Sequence, residues 1–138
     1  MTTRRRARRV AIDLLYQSDL TGVPVDRVMA DWREAGREVP AFADELARGV
    51  EGRMPDIDLL LEEHSEGWPV ARMAALDRTI LRLGVYELRF GRDVPPSVAI
   101  SEAVEAASEL SSEGSKGFVN GVLGMIAREG DRPGPAAD

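Results

Sequence analysis

Residues 4 to 9 of this chain include five arginines: Arg4, Arg5, Arg6, Arg8 and Arg9. A guanidinium is a permanent positive charge with a rigid fork of donors, matched to phosphate and carboxylate oxygens. On a helix turning about 100° per residue, Arg5, Arg9, Ile12 and Tyr16 share one narrow sector. Basic charge in line with an aromatic ring suits single-stranded nucleic acid, with arginine for the phosphates and a ring for an unpaired base. The competing reading is a solvated arginine face with Tyr16 half-buried at a helix crossing. Dipole electrostatics weigh against that reading. Positive charge at a helix N-terminus costs roughly 0.3–1 kcal/mol, so arginines placed there point to a partner.

A second basic line, Arg78, Arg82 and Arg89, runs at i, i+4 and i+11, with Tyr86 four residues beyond Arg82. We expect it to be the exposed edge of a mostly buried helix, paired with Asp77 and Glu87. A protein–protein anchor is the alternative, since arginine and tyrosine suit that task. The close glycines of NGVLG follow no strand, so they read as small residues for helix packing rather than a phosphate loop. His64, the single histidine, lies in EEHSEG and is expected to be solvated. The acids fall at solvating spacing without a paired arrangement against an apolar pocket. No catalytic residue, metal ligand or cofactor is therefore expected, and the chain does not read as an enzyme.

With 138 residues, 43% hydrophobic and 30% charged, the chain is large and apolar enough to bury a core, as one domain or two small helical halves. The absence of cysteine removes disulfides, thiolate nucleophiles and cysteine-held metal clusters together. No run approaches the ~18 apolar residues of a membrane span. The basic start lacks the features of a signal peptide, so a cytoplasmic location is expected. The net charge of −6 hides an asymmetry. The first ten residues carry +5, and 13 basic against 24 acidic side chains leave −11 on the rest.

Hydrophobic spacing reads as helix nearly throughout, giving an all-α fold of about seven helices. The first helix should run from about Arg4 to Asp19, with Ala7, Val10, Ala11, Leu14 and Ser18 facing inward. A second follows from Val25 and stops at Gly36. Pro55 should kink or break the long pattern that starts at Pro40. Asp77 caps, or lies just inside, an almost wholly apolar central helix, in which Gly84 implies close approach of a neighbour. The following helix should bury Ile100, Ala103, Val104, Ala107 and Leu110, leaving Glu102, Glu105 and Glu109 on a polar face. Residues 131–138 read as a disordered tail.

Three segments, in order, resemble the NusB family of bacterial transcription antitermination factors. They are RRRARRVAIDLLYQ, LDRTILRLGVYEL followed by DVPPSVAISEAVEAA, and SKGFVNGVLG. Together they span essentially the whole chain. The resemblance implies a single NusB-like domain over residues 1–130, in two packed subdomains of roughly 1–66 and 67–130. It also implies a partnership with NusE, a small-subunit ribosomal protein, in binding single-stranded boxA RNA of ribosomal RNA operons within an RNA polymerase antitermination complex. By resemblance, Arg4, Arg5, Arg6, Arg8, Arg9, Tyr16 and Phe118 face RNA, and Asp77, Arg78 and Arg82 face the protein partner. Gly114 and Gly117 stand where members carry an acidic and a basic residue, so this chain should lean on its first helix.

Two alternatives stay open. One is a homodimer whose arginine helix meets the acidic face around Glu102, Glu105 and Glu109. The other is the RNA-guiding domain of a methyltransferase, a reading weakened by the lack of a cofactor-binding domain and a catalytic cysteine.

Overall fold

The computed structural model describes residues 3–91 and 93–130. Among the described residues there are seven α-helices, one short 3-10 turn and no strand. They are α1 (Thr3–Thr21), α2 (Val25–Glu34), α3 (Ala41–Gly52), α4 (Met54–His64), the turn Val70–Arg72, α5 (Ala75–Arg89), α6 (Pro96–Leu110) and α7 (Ser115–Gly130). The tail expected to be disordered lies outside the described residues. No helix among those described is long and apolar enough to cross a membrane.

The helix boundaries follow from local chemistry. α1 and α2 end at Gly22 and Gly36, whose φ values of +74° and +84° lie where a Cβ is disfavoured. Pro55 breaks the long pattern as expected. α3 stops at Gly52, Arg53 turns the chain, and Pro55 occupies the first turn of α4, where its missing N–H costs nothing. Asp77 lies in the first turn of α5, where its charge suits the helix dipole.

α5 is the central element, packed against α1, α3, α4, α6 and α7. Ile80, Leu81 and Val85 are fully buried on it, within a single core cluster that draws on all seven helices. Gly84 does mark a close approach, because a Cβ there would sit 2.7 Å from Leu123 Cδ1 of α7. Gly49 makes a second such contact, which its sequence context does not signal: a Cβ on it would collide with the Tyr86 ring, where α3 crosses α5.

Two helices are rotated from their expected settings. α1 buries Ala7, Arg8, Ala11, Ile12, Leu14 and Leu15. At about 100° per residue, that arc is turned roughly 60° from the expected stripe, toward Arg8 and Ile12. The cause is that α1 is covered on more than one side, by α2, α3 and α5. The sector holding Arg5, Ile12 and Tyr16 therefore does not point directly away from the core, and Ile12 is buried. α6 buries Ala99, Ala103, Ala106 and Ala107, while Leu110, expected in the core, is exposed. Four alanines on one face let α6 lie close against α5 and α7, and that approach brings its carboxylates alongside α1.

Candidate nucleic-acid interface

The arginines of α1 divide by what holds them. Arg8 is buried and donates through Nε and Nη2 to both carboxylate oxygens of Glu87 on α5, at 2.8 and 2.9 Å. Its Nη1 lies 3.8 Å from Glu102. Arg5 makes the same forked contact with Glu102 on α6, at 3.1 and 2.8 Å. Arg9 donates to Glu109, one bond at 2.8 Å and the other at 3.5 Å. The guanidiniums of Arg4 and Arg6 are exposed. Arg4 lies over the Phe42 ring, 4.4 Å from its centroid, and Arg6 approaches Glu38 only to 3.9 Å.

Pairing shifts the titration of Arg5, Glu102 and Glu109. The hydrogen bond from Arg5 holds the Glu102 carboxyl below its ordinary range, against a counteracting effect of burial. The same bond pushes the Arg5 guanidinium up. Arg9 likewise depresses Glu109, first through its hydrogen bond and then through its charge. Glu102 and Glu109 are therefore ionised at neutral pH, and Arg5, Arg8 and Arg9 stand in ion pairs rather than as bare positive charge.

Glu87, expected beside the arginines of its own helix, is instead consumed by Arg8. Arg78 and Arg82 are held by other carboxylates. Arg78 donates to Asp19 at 2.6 Å and to the carbonyls of Val70 and Met73. Arg82 forks onto Asp58 at 2.8 and 2.9 Å and reaches Asp19 at 3.3 Å. Burial opposes the charge of Arg82, yet the Asp58 hydrogen bond and the nearby acids outweigh it and raise its pKa. Asp77 accepts a hydrogen bond from Ser111, whose hydroxyl also lies 3.0 Å from that of Ser115. Helical spacing thus groups Asp77, Arg78 and Arg82 on one element but not in one site. Asp77 lines an open groove of about 690 Å³ with Trp68, Arg72 and Phe118. Arg78 and Arg82 line another, of about 470 Å³, with Asp19 and Asp58.

Tyr16 is half-buried on α1, and so is Phe118 on α7. His64 is not a solvated loop residue. It ends α4 with only 7% of its surface exposed. Its Nδ1–H donates to the Leu60 carbonyl at 2.8 Å, and its Nε2 faces Glu129 of α7 at 3.1 Å. The ligand-capable atoms of Glu63, His64 and Glu129 lie within 4.8 Å of one another. The contact between His64 and Glu129 accounts for two of these three residues.

Residue types and spacing identify the basic ridge and the acidic face of Glu102 and Glu109, but not the brace Glu87. The available signal is the i, i+7 spacing of Glu102 and Glu109, which puts both on one helix face opposite the i, i+4 pair Arg5 and Arg9. In the sequence, that complementarity suggests a contact between two chains. The structure forms it within one chain, between Arg5 and Glu102 and between Arg9 and Glu109.

The described residues form an all-helical bundle with a carboxylate-braced arginine helix. The sequence profile of the NusB family matches residues 5–128, and the chain belongs to that family. The transcription antitermination protein NusB of Rubrobacter xylanophilus is 49% identical over 121 residues, covering 88% of this chain and 87% of that protein. The same-named protein of Saccharopolyspora erythraea is 47% identical over 136 residues, covering 96% and 91%. Among solved structures, NusB of T. maritima superposes with a TM-score of 0.83 at 34% identity, covering 93% of this chain and 92% of that one. A chain from a crystal structure of antitermination factors NusB and NusE in complex with dsRNA superposes with a TM-score of 0.79 at 28% identity, covering 93% and 99%.

Proposed function

We propose that this protein is a non-enzymatic transcription antitermination factor. It pairs with NusE to hold single-stranded boxA RNA of ribosomal RNA operons within the RNA polymerase antitermination complex, in the cytoplasm. The observation that carries the reading is the arginine ridge on α1, a local concentration of guanidiniums on an otherwise acidic body. The solved complex of NusB and NusE with dsRNA supports NusE and RNA as the classes of partner, and the single-stranded boxA form rests on the family resemblance.

Within this reading the arginines have different tasks. Arg4 and Arg6, exposed at the start of α1, meet phosphates first. Arg5 and Arg9, at the margin of the buried arc, follow once RNA is near. Tyr16 lies on their line and packs beside a base. Phe118 extends the contact to α7. Arg8, enclosed by Glu87, acts by holding α1 in place rather than by touching RNA. For the protein partner, Asp77 acts through its groove beside the exposed Trp68, while Arg78 and Arg82 keep α5 fixed to α1 and α4 through Asp19 and Asp58. The two subdomains at roughly 1–66 and 67–130 divide the labour between α1 and the α5–α7 face.

The test is a titration of a boxA oligonucleotide, with and without NusE, at several salt concentrations. Wild-type affinity should fall with salt at a log–log slope of about −0.7 per phosphate contacted. Replacing Arg5 and Arg9 together by alanine should weaken binding and make that slope shallower. Unchanged affinity and slope would rule out the first helix as the RNA site.

A further inference from the structure

The partners of the ridge arginines differ in how firmly they hold. The Arg8–Glu87 pair is closed to solvent, with both side chains under a tenth exposed. A phosphate cannot reach Arg8 without opening the core. The Arg9–Glu109 pair lies at the rim, and Glu109 keeps almost half of its surface. The Glu102 carboxylate, 15% exposed, falls between those of Glu87 and Glu109, while Arg5 at 36% is more open than Arg9 at 17%. Ordinary rotamer changes of Glu109 can therefore release Arg9, while Arg8 stays locked.

We propose that Glu102 and Glu109 are affinity-setting residues of the RNA site, whose carboxylates occupy Arg5 and Arg9 in the free protein and must be displaced by RNA phosphates. The proposal rests on the reading of α1 as the RNA-binding helix. Carboxylate and phosphate present the same forked oxygens to a guanidinium, so the exchange is one anion for another at a fixed position. A single passing phosphate gains little by it. A strand whose phosphates match the spacing of Arg5 and Arg9 displaces both carboxylates and frees the full ridge. The braces thereby suppress indiscriminate binding to polyanions, while the arginines are held extended and in register for the correct strand. Without Glu102 and Glu109, α1 would offer Arg5 and Arg9, beside Arg4 and Arg6, to any nucleic acid.

The experiment is a double-mutant cycle on affinity for the boxA oligonucleotide, using wild type, E109Q, R9A and the R9A/E109Q pair. E45Q, an exposed acid on α3, serves as the control for loss of one negative charge. Displacement predicts that E109Q tightens binding about two- to fivefold, the worth of an exposed ion pair, and more than E45Q does. It also predicts that E109Q has no more effect than E45Q once Arg9 is gone. E102Q with R5A should behave in the same way. Circular dichroism melts of each variant show whether the fold persists, and Glu109, at the rim, is the substitution least able to disturb it. An equal gain from E109Q with and without Arg9 would mean simple long-range repulsion and would overturn the proposal. So would no gain at all. If R9A and R5A leave RNA affinity untouched in every background, the RNA reading of α1 has itself failed. If they weaken binding but show no coupling to the glutamates, only the displacement has failed.

Discussion

At the scale of single residues, the most consequential side chain is Glu87. It is 3% exposed in the middle of the bundle, and its charge is balanced by a forked contact with Arg8. A buried pair of this kind adds little over a well-packed apolar pair, but losing one member strands the other charge. Glu87→Ala should therefore cost about 3–5 kcal/mol in urea unfolding. Joint replacement of Arg8 by Met and Glu87 by Leu should restore most of that loss. The arginine cluster is evident in the sequence, because five like charges in six residues are conspicuous. The buried partner of Arg8 is not. Arg8 and Glu87 are separated by 79 positions, and nothing in residue type tells which of 24 acids will fold against a given arginine. His64 misleads for a related reason. Its acidic neighbours suggest solvent, but Glu129 from α7 and the carbonyl one turn back enclose it.

At the scale of elements, the helices themselves are legible, because periodic apolar spacing, the break at Pro55 and the stops at Gly22 and Gly36 are local signals. Helix rotation is not local. The inward stripe of α1 would hold if one face met the core, yet neighbours cover it on several sides, and the buried arc shifts toward Arg8. Helix crossings are legible only in part. Gly84 stands out because it interrupts an otherwise apolar helix, whereas Gly49 looks incidental until the Tyr86 ring is found against it. Alanine is the better helix former by about 1 kcal/mol, so an unconstrained Gly49→Ala would stabilise. Here the displaced Tyr86 ring should reverse the sign, with a net loss of about 1–3 kcal/mol from overpacking. A Cβ on Gly121 of α7 would meet nothing within 4 Å, so Gly121→Ala should stabilise by up to about 1 kcal/mol. Thermal melts of the two variants compare the sites directly.

At the scale of the whole molecule, the basic start and the acidic remainder are two halves of one electrostatic arrangement. α1 contributes Ala7 and Ala11 to the core and balances the charge of Glu87, so it is a structural member of the bundle rather than an appended arm. Deleting residues 1–9 should therefore do more than abolish RNA binding. It leaves Glu87 buried without its counter-charge, a loss of at least about 3–5 kcal/mol. A lowered urea midpoint for the truncated protein, compared with full-length Arg5→Ala/Arg9→Ala, checks this. A tail-like basic segment would leave the midpoint unchanged.

The partners of α1 lie 79, 97 and 100 positions downstream. This has a consequence for birth on the ribosome. At synthesis rates of about 5–20 residues per second, the first helix is made several seconds before Glu87, Glu102 and Glu109 exist to receive it. Such distant contacts are slow to close, so α1 can pack on α2 and α3 well before its arginines meet their carboxylates. Through that interval its guanidiniums are uncovered beside the RNA of the ribosome itself. The seam between α1 and α6 thus marks the moment when the exposed charges of a nascent polycation acquire their carboxylate partners.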